Sequence, residues 1–288
     1  MKIYDRHKNE YIETEQYGQG KLEFLYGTTP GRVLLKLVVS PAASRLYGFY
    51  NSLPFSKKKI APFIEKYDID LNEYEKNDFD SFNDFFTRKR RDEALNVDMK
   101  PDSLISPADS KLLVYDITDD LKVLIKGSVY TLSELVGGKT DLSEFSGGVC
   151  LVFRLCMDDY HRYCFIDNGK TADDYRIRGK LHTVSSISKD YKIYKENTRS
   201  VTVCETEQFG KIVQIEVGAL LVGRIVNKGL SSFSKGDEKG YFEPGGSTIV
   251  LLIKKDKAEI DSDILEQSKE GTETIVKYGE RIGRKKDA

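Results

Sequence analysis

Lys235 to Thr248 reads KGDEKGYFEPGGST, and the apolar run Ile249 to Lys254, IVLLIK, follows at once. Four glycines crowd the first stretch: Gly236, Gly240, Gly245 and Gly246. Glycine reaches φ > 0 and lets a carbonyl come close, because no Cβ stands in the way. Gly245-Gly246-Ser247 is therefore a tight turn that feeds a strand and leaves one hydroxyl beside one unshielded peptide bond. On composition alone, such a turn closes two strands and does nothing more.

The same strand-and-turn character extends upstream. Short β-branched and aromatic runs lie at Leu112 to Ile117, Lys122 to Lys126, Val149 to Leu155, Val201 to Glu205, Lys211 to Val217 and Leu220 to Val226. Many short strands at close spacing predict a β-rich sandwich or barrel rather than a doubly wound sheet. The character changes near Met99-Lys100-Pro101. The expectation is an α+β chain with a largely helical region over 1–98 and a β-rich domain over 99–288. Gly279-Glu280-Arg281-Ile282-Gly283 echoes Gly236-Asp237-Glu238-Lys239-Gly240. That echo suggests a duplicated hairpin unit, which resembles the hybrid β-barrels of lipoyl-type carrier domains.

Toward the N-terminus, Tyr4 to Tyr26 mixes aromatics with charges and reads as a short hairpin or an ordered arm. Ser40-Pro41 starts a helix, since proline suits the first helical turn. Arg32 to Tyr50 is apolar at most positions but carries Arg32, Lys36 and Arg45; Lys57-Lys58-Lys59 and the patch Ile60 to Ile64 follow. A basic, aromatic-rich amphipathic pair of helices describes a membrane-surface segment and an ordinary packing pair equally well. Phe82, Phe85 and Phe86 fall at helical spacing, as a core-facing stripe does.

The chain has 288 residues, 32% charged, with a formal net charge of −1. No global field points to nucleic acid. The charged start lacks the apolar core of a signal peptide. No apolar stretch approaches the roughly 20 residues a membrane-spanning helix needs. Cys150, Cys156, Cys164 and Cys204 form no C-x-x-C pair, and His7, His161 and His182 show no ligand spacing beside them, so neither disulfides nor a metal site is expected.

Three clusters carry groups suited to chemistry. Asp109, in Ser106-Pro107-Ala108-Asp109-Ser110, opens the β-rich part; an Asp in such a turn commonly bonds its own backbone. His161 lies in Asp159-Tyr160-His161-Arg162-Tyr163-Cys164, and His182 in Gly179-Lys180-Leu181-His182. With His7 in a charged arm, proton transfer through an imidazole must draw on His161 or His182. The third cluster is Gly246-Ser247.

Taken in order, these pieces resemble the phosphatidylserine decarboxylase proenzymes. The matches are the Ser81 to Arg88 run S-F-x-x-F-F-x-R, Ser106 to Asp109, Tyr160-His161-Arg162, Gly179 to Val184, Asn197-Thr198-Arg199, Val217 to Gly223 and the final KGxExGxF…GGST. The resemblance implies that Ser247 attacks the carbonyl of Gly246, that the chain is cut there, and that Ser247 becomes a covalent pyruvoyl group. Its ketone would form a Schiff base with the substrate amine and draw off electrons as carbon dioxide leaves. It also implies a role for His161 in decarboxylation and for Asp109 in orienting the base of self-cleavage. The family pattern YHRxHxP has a second histidine where this chain has Cys164, and SPADG has glycine where it has Ser110. Cys164 could accept the Ser247 proton only as a thiolate, whereas His182 needs no unusual ionisation; we therefore assign self-cleavage to His182, oriented by Asp109, with the Cys164 thiol as the alternative.

The implied substrate is phosphatidylserine, met at an anionic membrane surface on the cytoplasmic face, with the protein peripheral. The two self-cleaved chains would remain associated, and a homo-oligomer is compatible with the sequence. Two other readings stand beside this one: a pyruvoyl-dependent decarboxylase of a soluble amino acid, and a non-catalytic hybrid-barrel binding module. The amphipathic Arg32 to Ile64 region weighs against the first, and the lack of a lysine attachment motif between the two glycine turns weighs against the second.

Overall fold

A computed structural model describes residues 2–13, 19–125, 128–180, 196–218, 224–245 and 247–286. A hairpin of β1 (Lys2–Asp5) and β2 (Glu10–Glu13) comes first. The helices α1 (Gln19–Gly27), α2 (Thr29–Val38), α3 (Pro41–Ser52), α4 (Ile60–Tyr67) and α5 (Phe82–Phe86) follow. Next come β3 (Ser103–Ile105), β4 (Ser110–Asp116), β5 (Lys122–Ile125), β6 (Ser128–Thr131), α6 (Leu132–Val136), β7 (Val149–Leu155) and β8 (Arg162–Cys164). Then β9 (Gly169–Ile177), β10 (Arg199–Thr206), β11 (Gly210–Gly218), β12 (Ile225–Asn227), β13 (Ser232–Phe233) and β14 (Glu238–Phe242) lead to β15 (Ser247–Ile253). The chain closes with β16 (Ala258–Ile260), α7 (Ser262–Lys269), β17 (Glu273–Val276) and β18 (Arg281–Lys285).

The helices start where the sequence offers caps. Thr28 Oγ1 accepts from Gly31 N ahead of α2, and Ser40 Oγ accepts from Ala43 N ahead of α3, with Pro41 in the first turn. Phe82, Phe85 and Phe86 of α5 are buried against Ile60, Phe63 and Phe79, so the helical stripe is a core face. The helices α1 to α3 enclose much less: Tyr26, Leu35 and Val39 make up their buried cluster.

One ten-stranded sheet runs β13-β9-β10-β11-β15-β7-β4-β17-β1-β2. Its neighbours are antiparallel except β1 on β17, which is parallel. Five of the strand runs named from the sequence, now β10, β11, β15, β7 and β4, stand side by side in its middle. β15 is buried at all seven residues, which is why it reads as a continuous apolar run rather than an alternation.

The α+β class with a large β-rich sheet is as expected; among the described residues that sheet runs from β13 at one edge to β2 at the other. Strand spacing along a chain carries no record of which strands become edges. The division at residue 99 separates helices from strands only between 19 and 98, because the hairpin of residues 2–13 completes the sheet beside β17.

Two units of the fold repeat. In one, β8 passes through residues 165–168 into β9, and β13 passes through 234–237 into β14, with β12 beside it. In the other, β3 passes through 106–109 into β4, and β17 passes through 277–280 into β18, with β16 beside it. Their hydrogen bonds match. Phe165 N donates to Asp237 O at 3.0 Å and Gly236 N to Phe165 O at 2.9 Å. Ser106 N donates to Glu280 O at 2.8 Å and Gly279 N to Ser106 O at 2.9 Å. The turn residues Gly236 and Gly279 have φ of 84° and 77°, the region that favours glycine. Each unit carries a register shift, between Glu238 and Gly240 and between Arg281 and Gly283. Such a bulge re-aims the residue within it, and Lys239 and Ile282 are both buried. The duplication suggested by GDEKG and GERIG therefore extends through five strands of each unit.

Candidate active site

The strand ends bring most of the named residues to one rim of the large sheet. Ser247 begins β15, with Leu155 at the end of β7 opposite it on one side and Gly218 at the end of β11 on the other. Asp109 immediately precedes β4, whose Lys111 pairs with Arg154 of β7. Asn197 and Thr198 lead into β10, whose Arg199 pairs with Val217. Tyr278 follows β17, whose Val276 pairs with Ser110. His161 lies in the loop that leaves β7 at this same end.

Ser247 is fully buried, and its Oγ has no hydrogen-bond partner among the described residues. A buried hydroxyl left unpaired costs free energy, and Thr248 Oγ1 beside it is likewise buried without a partner among the described residues. Gly245, two residues earlier, has φ of 144°. Gly246 itself lies outside the described residues. Opposite Ser247, Gly218 presents no side chain. Its carbonyl accepts from Asn197 Nδ2 at 2.8 Å and its N–H donates to Thr198 O at 2.9 Å. Arg199 spends its guanidinium on the carbonyls of Leu135 and Glu134 at the end of α6, and on Asn197 O. The N-x-R motif thus braces the backbone facing Ser247, a role its spelling did not reveal.

His161 is buried against the Phe86 ring, with centroids 4.2 Å apart. Its Nδ1 lies 2.8 Å from Asp159 O. A carbonyl only accepts, so Nδ1 carries the proton and the lone pair sits on Nε2, which is buried without a partner among the described residues. Burial pushes the imidazole down to about 4. It is a neutral base with a free lone pair. Asp159 is tied to Lys111 Nζ at 2.8 Å through both oxygens.

Asp109 is buried and takes two bonds from Arg90, at 3.2 and 2.8 Å, and one from Tyr278 N at 2.8 Å. Burial works to raise its pKa, and the Arg90 charge, with Lys277 and the Tyr278 N–H, outweighs it and holds the carboxyl below the usual range. Ser110, in place of glycine, is accommodated by turning its Oγ to Ala108 O at 3.3 Å. His182, the expected partner of Asp109, lies outside the described residues. Arg90 was missed: inside the basic run Thr87 to Arg91 it looks like one more solvated charge.

Cys164 is fully buried, its Sγ 3.9 Å from Ser106 O. Burial pushes the thiol up to about 12, which leaves it protonated at neutral pH. The sequence also gave no sign of three enclosed ion pairs near this rim: Lys111–Asp159, Arg154–Glu273 and Lys239–Glu216. Among the described residues, no cluster of His, Cys, Asp and Glu is arranged to hold a metal ion.

Comparison with known proteins identifies the family. The family model described as phosphatidylserine decarboxylase matches residues 82–284. The chain is 52% identical over 287 residues to phosphatidylserine decarboxylase proenzyme 2 of Clostridium acetobutylicum, with 99% of each chain covered. It is 42% identical over 291 residues to the phosphatidylserine decarboxylase proenzyme of Desulfitobacterium hafniense, covering 98% of each, and 40% identical over 293 residues to that of Clostridium botulinum, covering 99% of each. The chain belongs to the phosphatidylserine decarboxylase family.

Proposed function

We propose that the chain is a self-processing, pyruvoyl-dependent phosphatidylserine decarboxylase in which Ser247 is the cofactor precursor. The observation that carries this reading is the buried, unpartnered Ser247 hydroxyl at the head of β15, facing a glycine. Ser247 Oγ adds to the carbonyl of residue 246; the C–N bond breaks and its nitrogen takes up a proton, leaving an ester. Loss of the Ser247 Cα proton then expels the carboxylate of residue 246 from Cβ. Uptake of water and release of ammonia leave a pyruvoyl end on the 247–288 fragment. Its ketone supplies the electron sink for loss of carbon dioxide.

His161, neutral with its lone pair on Nε2, is our candidate for moving a proton in the decarboxylation step. Asp109 is held ionised by Arg90. Three donors occupy a carboxylate with about four acceptor sites, which leaves one for orienting His182 as the self-cleavage base. The two fragments stay joined because β15 is hydrogen-bonded along its length to β11 and β7.

The substrate reading rests also on the helical layer. Val33, Leu37, Leu46 and Phe49 are each more than 60% exposed, and Phe24, Leu34 and Phe55 nearly half. Apolar side chains concentrated on short helices with a minimal core of their own suit the surface of a bilayer. No helix among the described residues is long and apolar enough to cross a membrane. The Lys57-Lys58-Lys59 run contributes less than its spelling suggests, since Lys57 bonds Asp78 at 2.6 Å and Lys59 bonds Asn51 at 2.8 Å. We place the protein peripherally on the cytoplasmic face, held chiefly by the apolar anchors. Carbon dioxide release from phosphatidylserine vesicles, lost in Ser247→Ala and weakened in Leu37→Glu with Phe49→Glu, is the expected result. Turnover of free serine without turnover of the lipid would favour the soluble reading instead.

A further inference from the structure

We propose that the buried Lys239–Glu216 pair is a register lock for self-cleavage, holding β14 in the one alignment that delivers Ser247 and the bond before it to the rim. The inference rests on Ser247 being the processed residue. Lys239 Nζ lies 2.8 and 2.9 Å from the two Glu216 oxygens, and the side chains are 3% and 0% exposed. Enclosed ion pairs are weak evidence for stability, and their best-attested use is to fix register.

The placement fits that use. Gly218 pairs with Ser247 and Glu216 with Ile249. Side chains alternate along a strand, so Glu216 and Ser247 share a face as diagonal neighbours, at about 7–8 Å. Lys239 is the bulged residue of β14, the strand that runs into the cleavage turn. Asn227 braces the pair, donating to Glu216 Oε2 at 3.0 Å and to Ser200 Oγ at 3.1 Å, and Tyr163 OH donates to Asn227 Oδ1 at 2.7 Å.

The second unit shows that the fold itself does not call for these charges. There the positions of Lys239, Asn227 and Tyr163 are filled by Ile282, Ile260 and Leu104, all buried and apolar, around the same bulge. An apolar residue in a bulge tolerates slippage, because another apolar contact replaces the one lost. A buried ammonium does not, because only its carboxylate satisfies it. A one-residue slip in β14 would carry the chain about 3.3 Å and turn its side chains to the wrong face. β14 delivers the scissile turn.

Glu216→Gln with Lys239→Met removes both charges at once and leaves neither unpaired. The full chain is produced and followed by intact mass as it matures. The expected result is a folded protein whose cleavage is slower by on the order of 10- to 100-fold, the scale of a small misplacement. Part of its 247–288 fragment should end in serine, from water hydrolysing a poorly placed ester, and so be heavier by the difference between serine and pyruvoyl ends. Lys239→Arg, which keeps the charge, should retain cleavage. Wild-type cleavage with a wholly pyruvoyl-ended fragment in the double variant would overturn the proposal. If that variant does not fold, Tyr163→Phe, which removes only the bond to Asn227, decides: slowed cleavage supports the lock and an unchanged rate overturns it. An uncut wild type would sink both this proposal and the assignment of Ser247.

Discussion

The unit around Gly236 and the unit around Gly279 have the same backbone and different interiors. Phe242 N donates to His161 O in one as Lys285 N donates to Asp102 O in the other. Lys235 N donates to Asn168 Oδ1 at 2.9 Å as Tyr278 N donates to Asp109 Oδ1 at 2.8 Å. Where the units differ, the fold is indifferent and something else has chosen the residue. The turn needs a side-chain oxygen at 109 and 168, and an amide suffices at 168, so the charge on Asp109 serves another end. His161 is buried where Asp102 is exposed, and Lys239 is charged where Ile282 is apolar. Cys164 stands where Ile105 stands, both fully buried, which makes the thiol a packing residue.

The sharpest way to break this comparison is to exchange the two bulge residues. Ile282→Lys puts an ammonium at a fully buried position that holds an apolar side chain, and we expect this protein not to fold. Lys239→Ile strands Glu216, and denaturant unfolding should show a loss of about 3–5 kcal/mol, the usual cost of removing one partner of a buried pair. Near-neutral results for both would mean that the two interiors are equivalent.

Exchange at the turn oxygens separates charge from geometry. Asp109→Asn keeps the bond from Tyr278 N and removes the buried charge paired with Arg90, which retains Glu73 at 3.4 Å; its self-cleavage should slow by on the order of 100-fold. Asn168→Asp should cleave at the wild-type rate. Equal slowing in both would show that the turn, rather than the charge, is what cleavage requires.

His161 gives a pH signature that Asp102 cannot. Its imidazole sits at about 4 in the folded state against an ordinary 6.5. Between those values the unfolded chain binds a proton that the native chain does not, so stability rises with pH across that window, by up to about 3 kcal/mol. His161→Gln should remove that part of the slope. The smallest effect belongs to Cys164→Val, close in size and polarity to what the other unit holds, with a stability change of less than about 1.5 kcal/mol and normal cleavage. Blocked cleavage there would return the proton acceptor to the thiol.

What could be read from the sequence follows from how local each signal is. The central strands announced themselves because each carries a short run of β-branched and apolar residues, interrupted by buried polar exceptions such as Thr202, Gln214 and Glu216. The helix start at Ser40-Pro41 and the Phe82–Phe86 stripe are likewise written within a few residues. The echo of GDEKG and GERIG was visible, but its extent was not, since Tyr163 and Leu104 or Asn227 and Ile260 share a backbone position and no chemistry. The pairing of β1 with β17 joins residues at opposite ends of the chain and leaves no local mark. Arg90, Glu216 and Lys239 read as solvated charges because the partners that enclose them lie 19 and 23 residues away. Asp109, His161 and Ser247 stood out in the sequence as candidates for chemistry, and the structure brings their strand ends to one rim; Gly246 and His182 lie outside the described residues.

Intact mass of the purified wild type beside Ser247→Ala tests the central claim most directly. The account predicts two polypeptides from the wild type, residues 1–246 and 247–288, the shorter blocked by a pyruvoyl group, and one uncut chain from Ser247→Ala. A single uncut species from both, or the same cut in both, would contradict it.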